Sequence, residues 1–153
     1  MFTFNLQAVL DHRQYVEDNL KKELAEIKQQ VLAARQQLDA LQRKEMDTAA
    51  TLKLEQQQGL SSDQVVAYHD YLKRLAGHIV NQKEVVSQTE AKEAAQQNEL
   101  VEAVKKRQIL EKLKDQGLAR YNQAMLNKEM EFINEIAVNR FVRKSLQGEG
   151  EKE

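Results

Sequence analysis

From Leu6 to Leu52 the chain carries a four-three alternation that never slips: Leu6, Leu10, Arg13, Glu17, Leu20, Leu24, Ile27, Val31, Ala34, Leu38, Leu41, Glu45, Thr48 and Leu52. Ten of these fourteen positions are apolar. A strict seven-residue repeat keeps one narrow stripe facing a partner and imposes a left-handed supercoil. A globular amphipathic helix would show a wider stripe on the 3.6 period. The repeat therefore predicts a coiled-coil strand.

The pattern stops at Gln56-Gln57-Gln58-Gly59, where glycine can take the left-handed conformation that ends a helix. A start signal follows at once. Ser61 is placed as an N-cap with Gln64 three residues on, a capping box, and Leu60 and Val65 flank it as a hydrophobic staple. So short a connection predicts an antiparallel hairpin, with residue i roughly opposite residue 118 − i. The second strand resumes the stripe at Val65, Tyr68, Leu72, Leu75 and Ile79, weakens at Gln82, Thr89, Glu93 and Gln96, and recovers at Leu100, Ala103 and Leu110. The predicted fold is all-α: one two-helix antiparallel coiled coil with unequal arms. Its helices run over about 4–56 and about 62–146, with a turn at about 57–61 and a flexible charged tail at 148–153. Gly77 and Gly117 are expected soft points, and Thr89 to Glu99 the thinnest, most mobile part of the seam.

Composition narrows the possible chemistry. There is no cysteine, so no disulfide, thiolate zinc site or cysteine nucleophile. Lys plus Arg is 23 against 24 Asp plus Glu, which lacks the basic footprint of a nucleic-acid binder. Five glycines and no proline are too few turn-makers for a multi-stranded sheet. No apolar run approaches the ~20 residues of a membrane span, and Met1 to Arg13 does not read as a signal peptide, so an intracellular protein is expected. No phosphate-binding glycine loop occurs, and His12, His69 and His78 are too scattered for a metal. A two-helix rod also offers no water-excluding pocket, so neither an enzyme nor a cofactor is expected.

Polar residues inside the stripe, Arg13, Glu17, Glu45, Glu93 and Arg107, read as register-setters. Arg107 is expected near Asp11, Glu45 near Lys73, and Glu17 in an i,i+4 pair with Lys21. Helix one is used up near Lys112, leaving an overhang of roughly 45 Å beyond a hairpin of roughly 80 Å. That overhang carries Met125, Leu126, Met130, Phe132, Ile133, Ile136, Val138, Phe141 and Val142. Apolar surface without an internal partner implies an external one; the alternative is that this end folds back or pairs with a second copy. Arg140, Arg143 and Lys144 make this end basic as well, suited to an acidic partner or a membrane surface.

Several stretches resemble the bacterial flagellar FliJ family, and together they cover nearly the whole chain. They are Phe2-x-Phe4-x-Leu6-Gln7-x-Val9-Leu10-Asp11-x-Arg13, then Gly59-Leu60-Ser61 followed by Tyr68-x-x-Tyr71-Leu72-x-x-Leu75. Arg107-x-x-Leu110-Glu111-Lys112-Leu113-Lys114 and Asn134-Glu135-Ile136-Ala137-x-x-Arg140 complete the set. The resemblance implies a cytoplasmic component of the flagellar type III export apparatus, peripheral to the inner membrane. It would be a stalk-like general or escort chaperone that associates with the hexameric export ATPase FliI, the gate protein FlhA, and export chaperones or cargo. It further implies a gate-contacting patch matched here by Gln37, Leu41, Tyr71 and Leu75, with Lys44, Thr48, His78 and Gln82 departing from the family pattern. The ATPase ring would take the overhang at Met130, Ile133, Ile136, Arg140 and Phe141. Two other readings stand beside it: the equivalent stalk of a virulence secretion system, and a purely structural dimeric coiled coil.

Overall fold

The computed structural model describes residues 1–149, and for Glu149 the backbone alone. Two α-helices make up almost all of it, α1 at Gln7–Gln58 and α2 at Ser62–Glu149, with no strand among the described residues. The helices pack together as an antiparallel hairpin, the all-α architecture expected from the repeat. Gly148 belongs to α2, where the sequence suggested a tail; residues 150–153 of that tail lie outside the described residues.

The chain divides into two compact units. One comprises Gln14–Val104; the other joins Met1–Arg13 to the chain from Lys105 onward. In the first unit the turn is built as its residues require. Gly59 has φ +96°, and its N–H donates to the carbonyl of Gln56 at 3.3 Å. The Gln64 amide N–H donates to Ser61 Oγ at 3.3 Å, while the Ser61 N–H donates to Gln64 Oε1 at 3.2 Å. This reciprocal box satisfies two donors that the start of α2 would otherwise leave without a partner.

The stripe read from the sequence is the contact line. Every α1 stripe position from Leu10 to Leu52 is buried or half-buried, and so are Val65, Tyr68, Leu72, Leu75 and Ile79 on α2. Leu6, 42% exposed, is the exception. Its carbonyl accepts the first helical bond, from the Leu10 N–H at 2.9 Å, so it sits at the helix edge rather than in the seam.

Where the α2 stripe turns polar, glutamines join the helices. Gln82, almost fully buried, donates from Nε2 to the carbonyl of Ala34 at 2.9 Å. Gln96 Nε2 reaches Glu23 Oε2 at 2.9 Å and the Leu20 carbonyl at 3.4 Å. Beside them Arg35 grips Glu90 Oε1 through Nη2 at 2.7 Å and Nε at 3.0 Å. The glutamine contacts lie within two residues of the register expected from a turn at Gly59, while Arg35 reaches seven residues along α2 from its expected opposite position to meet Glu90. The stretch expected to be thinnest is therefore tied by hydrogen bonds in place of apolar bulk. A small residue at Ala34 leaves room for the longer amide opposite.

Glu17 is the most enclosed side chain, 2% exposed, and accepts from Lys21 Nζ at 2.9 Å, the expected i,i+4 pair. Glu45 and Lys73 form no ion pair, and Arg107 pairs along its own helix with Glu111 at 2.5 Å. No buried side-chain nitrogen or oxygen among the described residues lacks a partner.

In the second unit the chain start is pinned by aromatic contact. The Phe2 ring lies 5.8 Å, centroid to centroid, from Tyr121 at a tilt of 49°. A Cβ at Gly117 would stand 3.2 Å from the same ring. Gly117 is thus a seat for Phe2, where the sequence suggested a soft point. Gly77, with nothing within 4 Å of a built Cβ, faces open space.

Candidate interaction surfaces

Near the turn, within the Gln14–Val104 unit, Tyr71 stands on α2 one step off the seam and is 37% exposed. It lines two shallow hollows. One, about 340 Å³, is walled by Leu41, Lys44, Arg74, Leu75 and His78 as well as Tyr71. The other, about 400 Å³, is walled by Thr48, Gln64, Ala67 and Tyr68 together with Tyr71. A half-exposed tyrosine that lines two adjoining hollows is the kind of anchor that binding surfaces use.

The expected gate-contacting residues are only partly gathered there. Leu41, Tyr71 and Leu75 share the first hollow, although Leu75 is 4% exposed and belongs chiefly to the core. Gln37 is exposed and lines neither hollow. Among the departing positions, Lys44 and His78 wall the first hollow and Thr48 the second. Gln82 is committed to the Ala34 carbonyl.

The structure adds Tyr68, which the stripe had marked only as packing. It lines the second hollow, and its hydroxyl donates to Glu55 Oε2 at 2.6 Å. That hydrogen bond raises the Tyr68 pKa above its ordinary 10.0, with desolvation and the nearby carboxylate charge adding to it. A tyrosine on the stripe thirteen residues from a glutamate across a turn was the available signal.

The second surface lies in the other unit. After Tyr121 every described side chain of α2 is exposed. Met130, Ile133, Ile136, Arg140 and Phe141 all fall in this stretch, with Phe141 74% exposed. Arg140, Phe141, Arg143, Lys144 and Gln147 frame a basic hollow of about 490 Å³ near the helix end. Leu126, Met130, Ile133, Ala137 and Phe141 recur at helical spacing, so they share one face.

No cluster of three or more His, Cys, Asp or Glu able to hold a metal occurs among the described residues. No described helix is long and apolar enough to cross a membrane. The two surfaces offer different contacts: one a tyrosine lining shallow hollows, the other an apolar helix face with a cationic end.

Compared with known proteins, the chain matches the family model described as the flagellar FliJ protein over residues 2–146. No curated relative and no solved structure gives a significant match.

Proposed function

The chain belongs to the flagellar FliJ family, which implies a role in flagellar protein export, and we propose that it fills that role by binding alone. In this reading it is a stalk-like escort chaperone between the export ATPase FliI and the gate protein FlhA, at the cytoplasmic face of the inner membrane. The uncovered run of α2 after Tyr121 carries the reading. A helix face bearing Leu126, Met130, Ile133, Ile136 and Phe141 with no intramolecular cover suits insertion into a ring. Arg140, Arg143 and Lys144 give that end a cationic rim. Tyr71, with Leu41 beside it, supplies the gate-facing anchor.

Truncation after Ala124 tests the first contact. It is expected to abolish capture by the ATPase while the hairpin keeps its helical circular dichroism; retained capture refutes the assignment. Tyr71→Ala tests the second, with weakened gate-protein binding expected at little change in melting temperature. Because the matched family is the flagellar one, loss of motility in a deletion strain, with complementation by this chain, is the expected cellular outcome.

A further inference from the structure

The two hollows that share Tyr71 lie within the Gln14–Val104 unit, yet their linings differ in kind. The first draws Lys44 from α1 and Arg74 and His78, one turn apart, from α2, around Leu41, Tyr71 and Leu75. The second is lined by Thr48, Gln64, Ala67, Tyr68 and Tyr71, with no Lys or Arg among them. No carboxylate lines either one.

Lys44 and Arg74 stand opposite each other in the register expected from a turn at Gly59, and both are exposed. Like charges set across a seam raise the free energy of the folded hairpin rather than lower it. Other cations of this unit are compensated. Arg43 is held by Asp39 at 3.0 Å and Arg35 by Glu90 at 2.7 Å. Among the described residues, no ion pair or hydrogen bond engages the side chain of Lys44 or of Arg74. His78 adds a ring nitrogen able to donate to the same hollow. In a chain of net charge −1 this is a local excess of cation that packing does not require. A partner that brings carboxylates removes the repulsion, whereas a neutral segment leaves it and a basic one adds to it.

We propose that this surface takes an acidic segment with an apolar anchor. The anchor enters the hollow of Ala67, Tyr68 and Tyr71, and the carboxylates meet Lys44, Arg74 and His78. Ala67 and Arg74 are seven residues apart on α2, so anchor and carboxylates lie about 10 Å from each other. That is about three residues of an extended segment, or two turns of a helix. This rests on Tyr71 being the gate-facing anchor, and adds the chemistry that the gate side must present. Lys44 and His78 are also two of the positions where the chain departs from the family pattern.

Two fluorescein-labelled peptides serve as probes. They share a leucine-phenylalanine anchor and differ only in carrying glutamates or glutamines about three residues away. Fluorescence anisotropy with the full chain measures both. At low salt the glutamate peptide is expected to bind about fivefold or more tighter than its glutamine twin, a preference that shrinks at high salt. Lys44→Gln with Arg74→Gln is expected to erase the preference while the helical circular dichroism is kept, and each single change to remove part of it. Arg140→Gln with Arg143→Gln, in the other unit, is expected to leave it intact. Equal binding of the two peptides, no binding of the glutamate peptide, or a preference that survives at Lys44→Gln with Arg74→Gln overturns the proposal. Purified gate protein supplies a second arm. If Tyr71→Ala weakens binding to it and Lys44→Glu with Arg74→Glu does not, the acidic chemistry is refuted and the gate assignment stands. If the gate protein does not bind while the glutamate preference holds, the gate assignment is refuted and the acid-binding surface stands.

Discussion

From Lys105 to Tyr121 the stripe of α2 reads Arg107, Leu110, Lys114, Gly117 and Tyr121, and all five are half-buried. From Asn122 onward the same helix carries Leu126, Met130, Phe132, Ile133 and Phe141, and all are exposed. The covered stretch is the more polar one. Burial here follows the presence of a facing segment, supplied by Met1–Arg13, and the covered side chains adapt by finding partners. Arg107 bonds to Glu111, and Gly117 admits Phe2. Apolar character in the bare stretch marks surface awaiting an intermolecular contact.

The contrast breaks if truncating an exposed apolar side chain costs as much as truncating a covered one. Leu75→Ala should have the largest effect, lowering stability by about 2–4 kcal/mol through lost burial and an unfilled seam. Phe132→Ala, measured at low micromolar concentration, should stay within about 0.5 kcal/mol of wild type. Chemical denaturation followed by circular dichroism measures both. Next in size is Gln82→Ala, expected to cost about 1–2 kcal/mol by removing the bond to the Ala34 carbonyl. Gln82→Leu should recover much of that stability while loosening the preference for one register.

Three glycines sharpen the comparison further. Gly59→Ala should destabilise by about 1 kcal/mol, because alanine is strained at positive φ. Gly77→Ala should stabilise by about 0.5–1 kcal/mol, since its site is open and alanine favours helix. Gly117→Ala should fall short of that gain, because the new methyl presses on Phe2; a gain equal to that at Gly77 would show that Phe2 is not seated there. The smallest effect concerns Tyr68. Its raised pKa means the folded state holds the phenolic proton more tightly than the unfolded state does. The contribution is fully present below the unfolded pKa near 10 and is lost as pH rises through the folded value. The stability difference between wild type and Tyr68→Phe should therefore be flat through neutral pH and shrink in the alkaline range.

The hairpin was legible because each of its signals is local or periodic. Gly59, Ser61 and Gln64 specify the turn within six residues, and the four-three stripe names the buried side chains one by one. Three things escaped that reading. Gly117 looked like a flex point because glycine in a helix usually means lost stability. Its place seven residues after Leu110 on the stripe was the sign that another side chain fills the gap, but Phe2 lies outside the repeat. Gln82 and Gln96 looked like weak packing, since their bonds go to backbone carbonyls that no sequence pattern displays. Glu45 and Lys73, placed near each other by the register, make no ion pair, since opposite charges at nearby heights need not converge at a solvated helix edge. The candidate surfaces were half legible. The exposed run followed from counting residues past the end of α1. Around Tyr71 the two hollows depend on how Lys44, His78 and Thr48 are turned, which a stripe does not determine.

The capped turn also sets an order of assembly. Tyr68 reaches Glu55 across thirteen residues, whereas Phe2 meets Gly117 only after more than a hundred residues have been brought together. Loop closure costs least beside Gly59 and grows slowly with each added pair, so the helices should zip outward from the turn. Tension applied at the chain ends would undo them in the reverse sequence, releasing the Phe2 clasp first and the Ser61–Gln64 box last.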